Sequence, residues 1–278
     1  MTGTVRMLLR RGGLYMLLVA LAALFLLPLL WLLLIALKGP GELLRFPPKV
    51  LPDRARWENF GEALTYVDFL GYARNSVILA VTYGLLVTFS SALVGFALAR
   101  LPAPGKRVVF GILISTLMIP PIITLIPTYL IYSRLGLLNT YWPWVLSGLA
   151  GSSFLAFLFR QFFAGLPKEL EDAAIVDGCG YFRVFWQIFL PVSKPVLATS
   201  FVLSFVWTWG DWVMPALLLN DDRSPLAVAV GSLYASDHTG PQYHLIAAAA
   251  VMYSMPVLVL FIALQRLFIR GIATTGLR

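Results

Sequence analysis

Residues 165–195 read GLPKELEDAAIVDGCGYFRVFWQIFLPVSKP and separate two strongly apolar runs, 142–159 and 196–218. The stretch is long for a connection in so apolar a chain, and it is patterned throughout. Pro167 sits where a helix takes its first residue. Lys168 is followed by Glu169, Glu171 and Asp172, acids in the first turns, where the helix dipole favours negative charge. Leu166, Leu170, Ala173, Ala174 and Asp177 then recur at helical spacing. Gly178 and Gly180 end that helix, because glycine enters the left-handed cap conformation without a β-carbon penalty. A second helix follows with Phe182, Phe185, Trp186 and Phe189 on one face, and Pro191 and Pro195 lead into the next apolar run. Two readings of the first helix stay open on physical grounds. Its paired alanines let another backbone approach and its acids set register, which suits docking in a groove on a second protein. Alternatively, the hairpin tucks beneath its own bundle.

Outward from this stretch, apolar runs recur at 13–37, 76–98, 108–132, 142–159, 196–218 and 246–267. Runs of roughly 18 to 25 residues cross about 30 Å of hydrocarbon at about 1.5 Å per residue. Hydrophobic residues make up 59% of the 278 and charged residues 12%, half of the roughly 25% usual in soluble domains. That balance excludes a soluble enzyme, a disordered chain and a collagen-like fibre, and continuous rather than alternating runs exclude a barrel. The expected fold is an all-α membrane protein of six transmembrane helices. It divides into an N-terminal tail 1–12, an uncleaved anchor 13–37, an outer loop 38–75, a core 76–267 containing the loop 165–195, and a C-terminal tail 268–278. The first run is too long for a signal-peptide core and no small-x-small site follows it, which also argues against reading Arg10-Arg11 as a twin-arginine signal.

The net charge is +8. The basic residues cluster at the ends of the runs, the orientation signal of a membrane protein rather than the footprint of a nucleic-acid binder. Thirteen lie on the side of the two tails and the second and fourth loops, and eight on the other, six of those in the long first loop. Long loops weigh little, so both termini are expected in the cytoplasm. Cys179 is the one cysteine, which excludes an intramolecular disulfide and a Cys-based zinc site. In the outer loop, Trp57, Phe60, Leu64, Val67 and Gly71 recur at helical spacing. They mark either a helix lying on the outer membrane surface or one packed on the outer ends of the bundle.

The run Glu171-Asp172-Ala173-Ala174, then Asp177-Gly178, Phe185, Ile188, Leu190-Pro191 and Pro195, resembles the EAA loop of ABC importer permeases. The version LPKELEDAAIVDG is similar to that of the carbohydrate-uptake permeases of the maltose-transport type. Asn75-Ser76, Ala97-Leu98-Ala99-Arg100, Ile119-Pro120-Pro121, Ile126-Pro127, the run from Leu135 to Thr140, and Trp209-Gly210-Asp211 with Pro215 agree with it, so the resemblance covers roughly residues 57 to 272. It implies a type I importer permease fold with a cytoplasmic coupling helix, in which Leu170, Glu171, Asp172, Ala173, Ala174, Asp177 and Gly178 meet an ATPase. It also implies a second homologous permease, two ATPase subunits, an extracytoplasmic solute-binding protein, a sugar-like substrate, and a lipid-embedded place in a bacterial-type inner membrane. Asp172 stands where a second Glu is usual, Cys179 where Ala is usual, and Gly210 in place of Asn. The tail from Gly271 to Arg278 lacks the closing Gly-Ala-Val-Lys-Gly.

No G-x-x-x-x-G-K-[ST] phosphate loop is present; around Gly105-Lys106-Arg107, Arg100 and Arg107 occupy the places of the first Gly and the Ser or Thr. ATP and Mg are therefore expected in the partner ATPase, with no cofactor, metal or catalytic residue in this chain. Candidate pathway residues are Asn75, Pro120, Pro127, Trp209 and Asp211. Pro120, Pro121 and Pro127 break backbone bonds inside a span, which fits a cavity-lining helix or a packing kink. Asp211 lies near the outer boundary, where a carboxylate is functional or simply solvated. Trp207, Trp209 and Trp212 around it suit sugar stacking or an interfacial belt. His238 and His244 read as solvated loop residues. The alternatives are an ABC permease for a glycerol phosphate or other small organic solute, a membrane enzyme acting on lipid-linked substrates, which lacks a convergent polar cluster in the spans, and a scaffold without transport.

Overall fold

The computed structural model describes residues 2–232, 234 and 242–275, and among these it is helical throughout, with no strand. In chain order the helices are α1 (Thr2–Ala36), α2 (Glu58–Tyr66), α3 (Phe69–Arg100), α4 (Lys106–Thr116), α5 (Pro121–Arg134), α6 (Trp142–Ala150) and α7 (Ser153–Ala164). They continue as α8 (Glu169–Val176), α9 (Tyr181–Val184), α10 (Leu190–Val192), α11 (Lys194–Trp209), α12 (Val213–Leu218), α13 (Leu226–Ser232) and α14 (Tyr243–Thr275). A π-helical turn, Phe185–Phe189, joins α9 to α10. The chain forms two compact units, Met1–Phe69 with Val230–Met255, and Leu70–Ala229 with Pro256–Arg278.

Among the described residues, four stretches are long and apolar enough to cross a membrane: Arg11–Ala36, Phe69–Arg100, Trp142–Ala164 and Tyr243–Gln265. Two bent pairs bring the number to six if each is one span. The expected third span is not one helix, since α4 and α5 meet at 99°. The cause is Pro120, extended at φ −62° and ψ 132°, followed by Pro121 at the first turn of α5. Neither proline has an N–H to continue the α4 ladder. The second bent pair is Tyr181–Val192 with Lys194–Trp209, at 80°, and the expected fifth span is divided further along, with α11 ending at Trp209 and α12 beginning at Val213. Helix also extends beyond the expected ends, so that the tail 2–12 belongs to α1 and residues 69–75 to α3. His238 and the tail residues Gly276, Leu277 and Arg278 lie outside the described residues.

In the first unit, α1 exposes its apolar side chains from Leu14 to Trp31, as a lipid-solvated anchor does. Asn59 closes its end, its Nδ2 donating to the carbonyls of Ala36 (2.7 Å) and Lys38 (2.8 Å), which a helix terminus leaves without partners. The Tyr234 hydroxyl donates to the Ala63 carbonyl. Thus α2 is packed through Asn59 and Ala63, while Trp57 and Leu64, expected on its apolar face, are exposed. Lys49 and then Arg45 hold the Asp53 carboxyl below the usual range through a hydrogen bond and charge. His244 is buried near the start of α14, which begins a turn before the apolar run does.

The second unit is built on α3 and α7. At Gly95 a β-carbon would come within 2.9 Å of the Arg160 nitrogen and 3.0 Å of the Ala156 carbonyl oxygen, so glycine permits the two backbones to touch. Phe96, Phe159, Phe163, Phe185 and Phe189 fill the core beneath this contact. Between α6 and α7 the ladder is interrupted at Gly151, φ +81°. Two α3 serines satisfy the freed groups: Ser90 Oγ donates to the Gly148 carbonyl (2.7 Å), and Ser91 Oγ accepts from the Ser152 N–H (2.9 Å). An apolar medium demands such internal satisfaction.

Candidate functional site

Two regions of the second unit carry chemistry, the short helix α8 and a cavity beside α5, α6 and α11.

Helix α8 ends in a Schellman arrangement. Gly178 has φ +81°, its N–H donates to the Ile175 carbonyl (3.0 Å), and the Cys179 N–H donates to the Ala174 carbonyl (2.9 Å). Pro167 lies one position before the N-cap, Lys168. The helix has two faces. Glu171 and Ala174, three residues apart, are buried, and Ala174 joins the phenylalanine core. Leu170, Asp172, Ala173, Ile175, Val176, Asp177 and Gly178 are exposed, with Val176 at 86%. A recess of about 530 Å³ lies between α8 and Ile188, lined also by Leu170, Ala173, Asp177 and Cys179.

Glu171 therefore does not face outward with the other acids. Its carboxylate is 3.5 Å from Nη1 of Arg100, the last residue of α3, and both side chains are more than 90% buried. Nη2 of Arg100 donates to the carbonyls of Phe163 (2.6 Å) and Leu166 at the end of α7. The guanidinium lies 5.1 Å from the Phe189 ring centroid. In sequence Arg100 is a basic end of an apolar run, the last residue of Ala97-Leu98-Ala99-Arg100, and no local pattern pairs it with Glu171.

The cavity measures about 610 Å³. Trp144 and Trp207 give it aromatic faces, and Tyr83, Thr124, Thr128, Ser147 and Thr208 give it hydroxyls; among the described residues Asp211 is the one carboxylate that lines it, with no lining Lys or Arg. Asp211 is half-buried in the break between α11 and α12, and its Oδ1 accepts from the Met214 N–H (3.2 Å), capping α12. The cluster of three tryptophans separates. Trp207 lines the cavity, Trp209 is buried and stacked on Phe205 at 5.5 Å, and Trp212 is exposed.

Of the five candidate pathway residues, then, only Asp211 lines the cavity. Pro120 sits at the adjoining bend, and Pro127 is exposed on α5. Asn75 is buried, its Nδ2 donating to the carbonyls of Asp222 (3.3 Å) and Ser224 (3.1 Å), which ties a loop to α3. The hydroxyl residues were missed because single Ser and Thr are ordinary in membrane helices. Among the described residues, no group of three His, Cys, Asp or Glu side chains is placed to hold a metal ion.

Residues 91–274 match the family described as binding-protein-dependent transport system inner membrane component. The chain is 33% identical to the probable ABC transporter permease protein YurM of Bacillus subtilis, across 90% of this chain and 83% of that one. It is 32% identical to the diacetylchitobiose uptake system permease protein NgcG of Streptomyces coelicolor, across 86% and 80%. It is 31% identical to the sn-glycerol-3-phosphate transport system permease protein UgpE of Yersinia pestis, across 84% and 85%. A chain in the crystal structure of a bacterial ABC transporter involved in import of the acidic polysaccharide alginate shares the fold. The TM-score is 0.77 at 22% identity, covering 92% of this chain and 95% of that one.

Proposed function

Because this chain belongs to the family of binding-protein-dependent transport system inner membrane components, we propose that it forms one half of the membrane pathway of an ABC importer for a neutral sugar or oligosaccharide. It is a permease subunit and not an enzyme. Its partners are a second permease of the same kind, a pair of ATPase subunits carrying ATP and Mg, and a solute-binding protein on the outer side. Both termini face the cytoplasm, where the exposed face of α8, with Leu170, Asp172, Ala173, Asp177 and Gly178, seats against an ATPase. ATP-driven movement of α8 rocks the two permeases about a central site, giving alternating access.

The observation that carries the substrate class is the lining of the cavity. Tryptophan faces stack on sugar rings, hydroxyls pair with sugar hydroxyls, and a carboxylate accepts from them strongly. A glycerol phosphate carries negative charge, which Asp211 opposes and, among the described residues, no lining Lys or Arg offsets. The test is uptake by the assembled transporter in proteoliposomes, with radiolabelled neutral di- and trisaccharides compared with glycerol 3-phosphate. Neutral saccharides are expected to enter, and Asp211→Asn to slow them by about tenfold, as removal of a charge-assisted hydrogen bond does. Uptake of glycerol 3-phosphate alone would overturn the assignment.

A further inference from the structure

We propose that the buried Arg100–Glu171 pair is the rigid link through which movement of α8 reaches the substrate cavity, with α3 as the rod. The proposal rests on the reading of α8 as the ATPase-docking helix.

Four segments meet at one guanidinium. Arg100 is the last residue of α3. Its Nη2 closes two carbonyls at the end of α7, where a helix terminus favours a cation. Its Nη1 faces Glu171 in the first turn of α8. Its face lies on Phe189 in the π-helical turn. A buried ion pair is a poor device for stability alone, since desolvation offsets its attraction and apolar replacements often serve as well. It does fix geometry, because a planar guanidinium with several acceptors has one arrangement that satisfies them.

Of the segments that meet there, α3 alone runs unbroken to the cavity. It contains no proline, and it carries Tyr83, which lines the cavity, about 26 Å from Arg100 at about 1.5 Å per residue. The route through α7 is interrupted at Gly151 before it reaches Trp144 and Ser147. The route through α9 and α10 turns by 80° before α11. A displacement of α8 is thus delivered undiminished only along α3. Arg100 and Glu171 are positioning residues, remote from the solute.

The test reads the response of the cavity without requiring the solute. In a Cys179→Ser background, Thr128→Cys places one thiol on the cavity wall. Its rate of reaction with a fluorescent maleimide is measured in the assembled transporter, nucleotide-free and after ATP turnover in the presence of vanadate, which traps ADP and vanadate together. In this parent, trapping is expected to change the rate by at least about fivefold, the lower end of ordinary coupling factors. Arg100→Met/Glu171→Met removes both charges and leaves no lone buried ion. Glu171→Gln keeps the shape and loses only the charge, so it reports even if the double variant fails to assemble.

In either variant, vanadate-sensitive ATPase activity and ATPase retention are expected to persist while the rate change falls below about twofold. A rate change of parental size in variants that retain the ATPase would overturn the link. So would a loss of cavity response in step with ATPase activity, or a parent whose cavity does not respond to trapping. Ala173→Glu, on the exposed face of α8, separately tests docking. Loss of ATPase co-purification supports it, and full retention overturns the docking reading itself.

Discussion

Substitution of Gly178 isolates the contribution of a partner to the end of α8. The backbone there has φ +81°, a region L-residues enter at a cost of about 1–2 kcal/mol. Within this chain, an added β-carbon meets nothing within 4 Å. Gly178→Ala therefore carries only the backbone penalty in the permease itself, a loss of about five- to thirtyfold in the capped population if the whole cost falls on the cap. Gly178→Asn costs less, because asparagine tolerates the left-handed conformation. A partner surface seated on Gly178 adds a penalty that grows from Ala to Leu. The assay is solute transported per ATP hydrolysed in reconstituted transporter. The expected order is wild type, then Asn, then Ala, with Leu far below Ala and close to uncoupled. Equal coupling for Leu and Ala would refute the claim that Gly178 lies against the ATPase. An unaffected Ala variant would refute the importance of the cap itself.

Two further outcomes follow from single positions. Cys179, partly exposed beside Ala173 at the recess, is expected to resist a membrane-impermeant maleimide in intact cells and to react in inverted vesicles; labelling from outside would reverse the orientation argued from the basic residues. Gly95→Val, which drives side-chain atoms into the α7 backbone, is expected to lower the thermal midpoint of the purified assembly by the equivalent of about 1–3 kcal/mol, the usual cost of overpacking. Gly111→Ala, where nothing lies within 4 Å, is the matched control with no loss.

The helical class and most of the spans were legible because hydrocarbon imposes a simple rule, long apolar segments with internally paired backbones. The interruptions were less so. Pro120 and Pro121 announced a kink, but a right-angle turn depends on which side of the bend finds packing. The break at Gly151 was read as continuous helix. The flanking Gly148 carbonyl and Ser152 N–H pair with Ser90 and Ser91, distant in sequence, and no local pattern connects them. The cavity has the same difficulty. Asp211 stood out as a charge in an apolar run, whereas Thr124, Thr128 and Ser147 gain meaning only from facing one space.

The short helix shows where a sequence pattern stops informing. The cap at Gly178 was legible, since glycine after a periodic run has a specific conformational use. The acids have one common reading in sequence, as first-turn charges that set register, although three-residue spacing already places Glu171 with the core-facing Ala174 rather than with Asp172. What concealed the distinction is that a buried carboxylate makes physical sense only beside its counter-charge. That charge, Arg100, also served as an ordinary basic end of a span. The two roles are compatible. A cation at the end of a span contributes to the orientation signal, and in the folded chain the same Arg100 side chain joins α3, α7 and α8. Motion of α8 without α3 would part Arg100 from Glu171 and strand both charges in the core, so the low-energy displacement is one in which they move together.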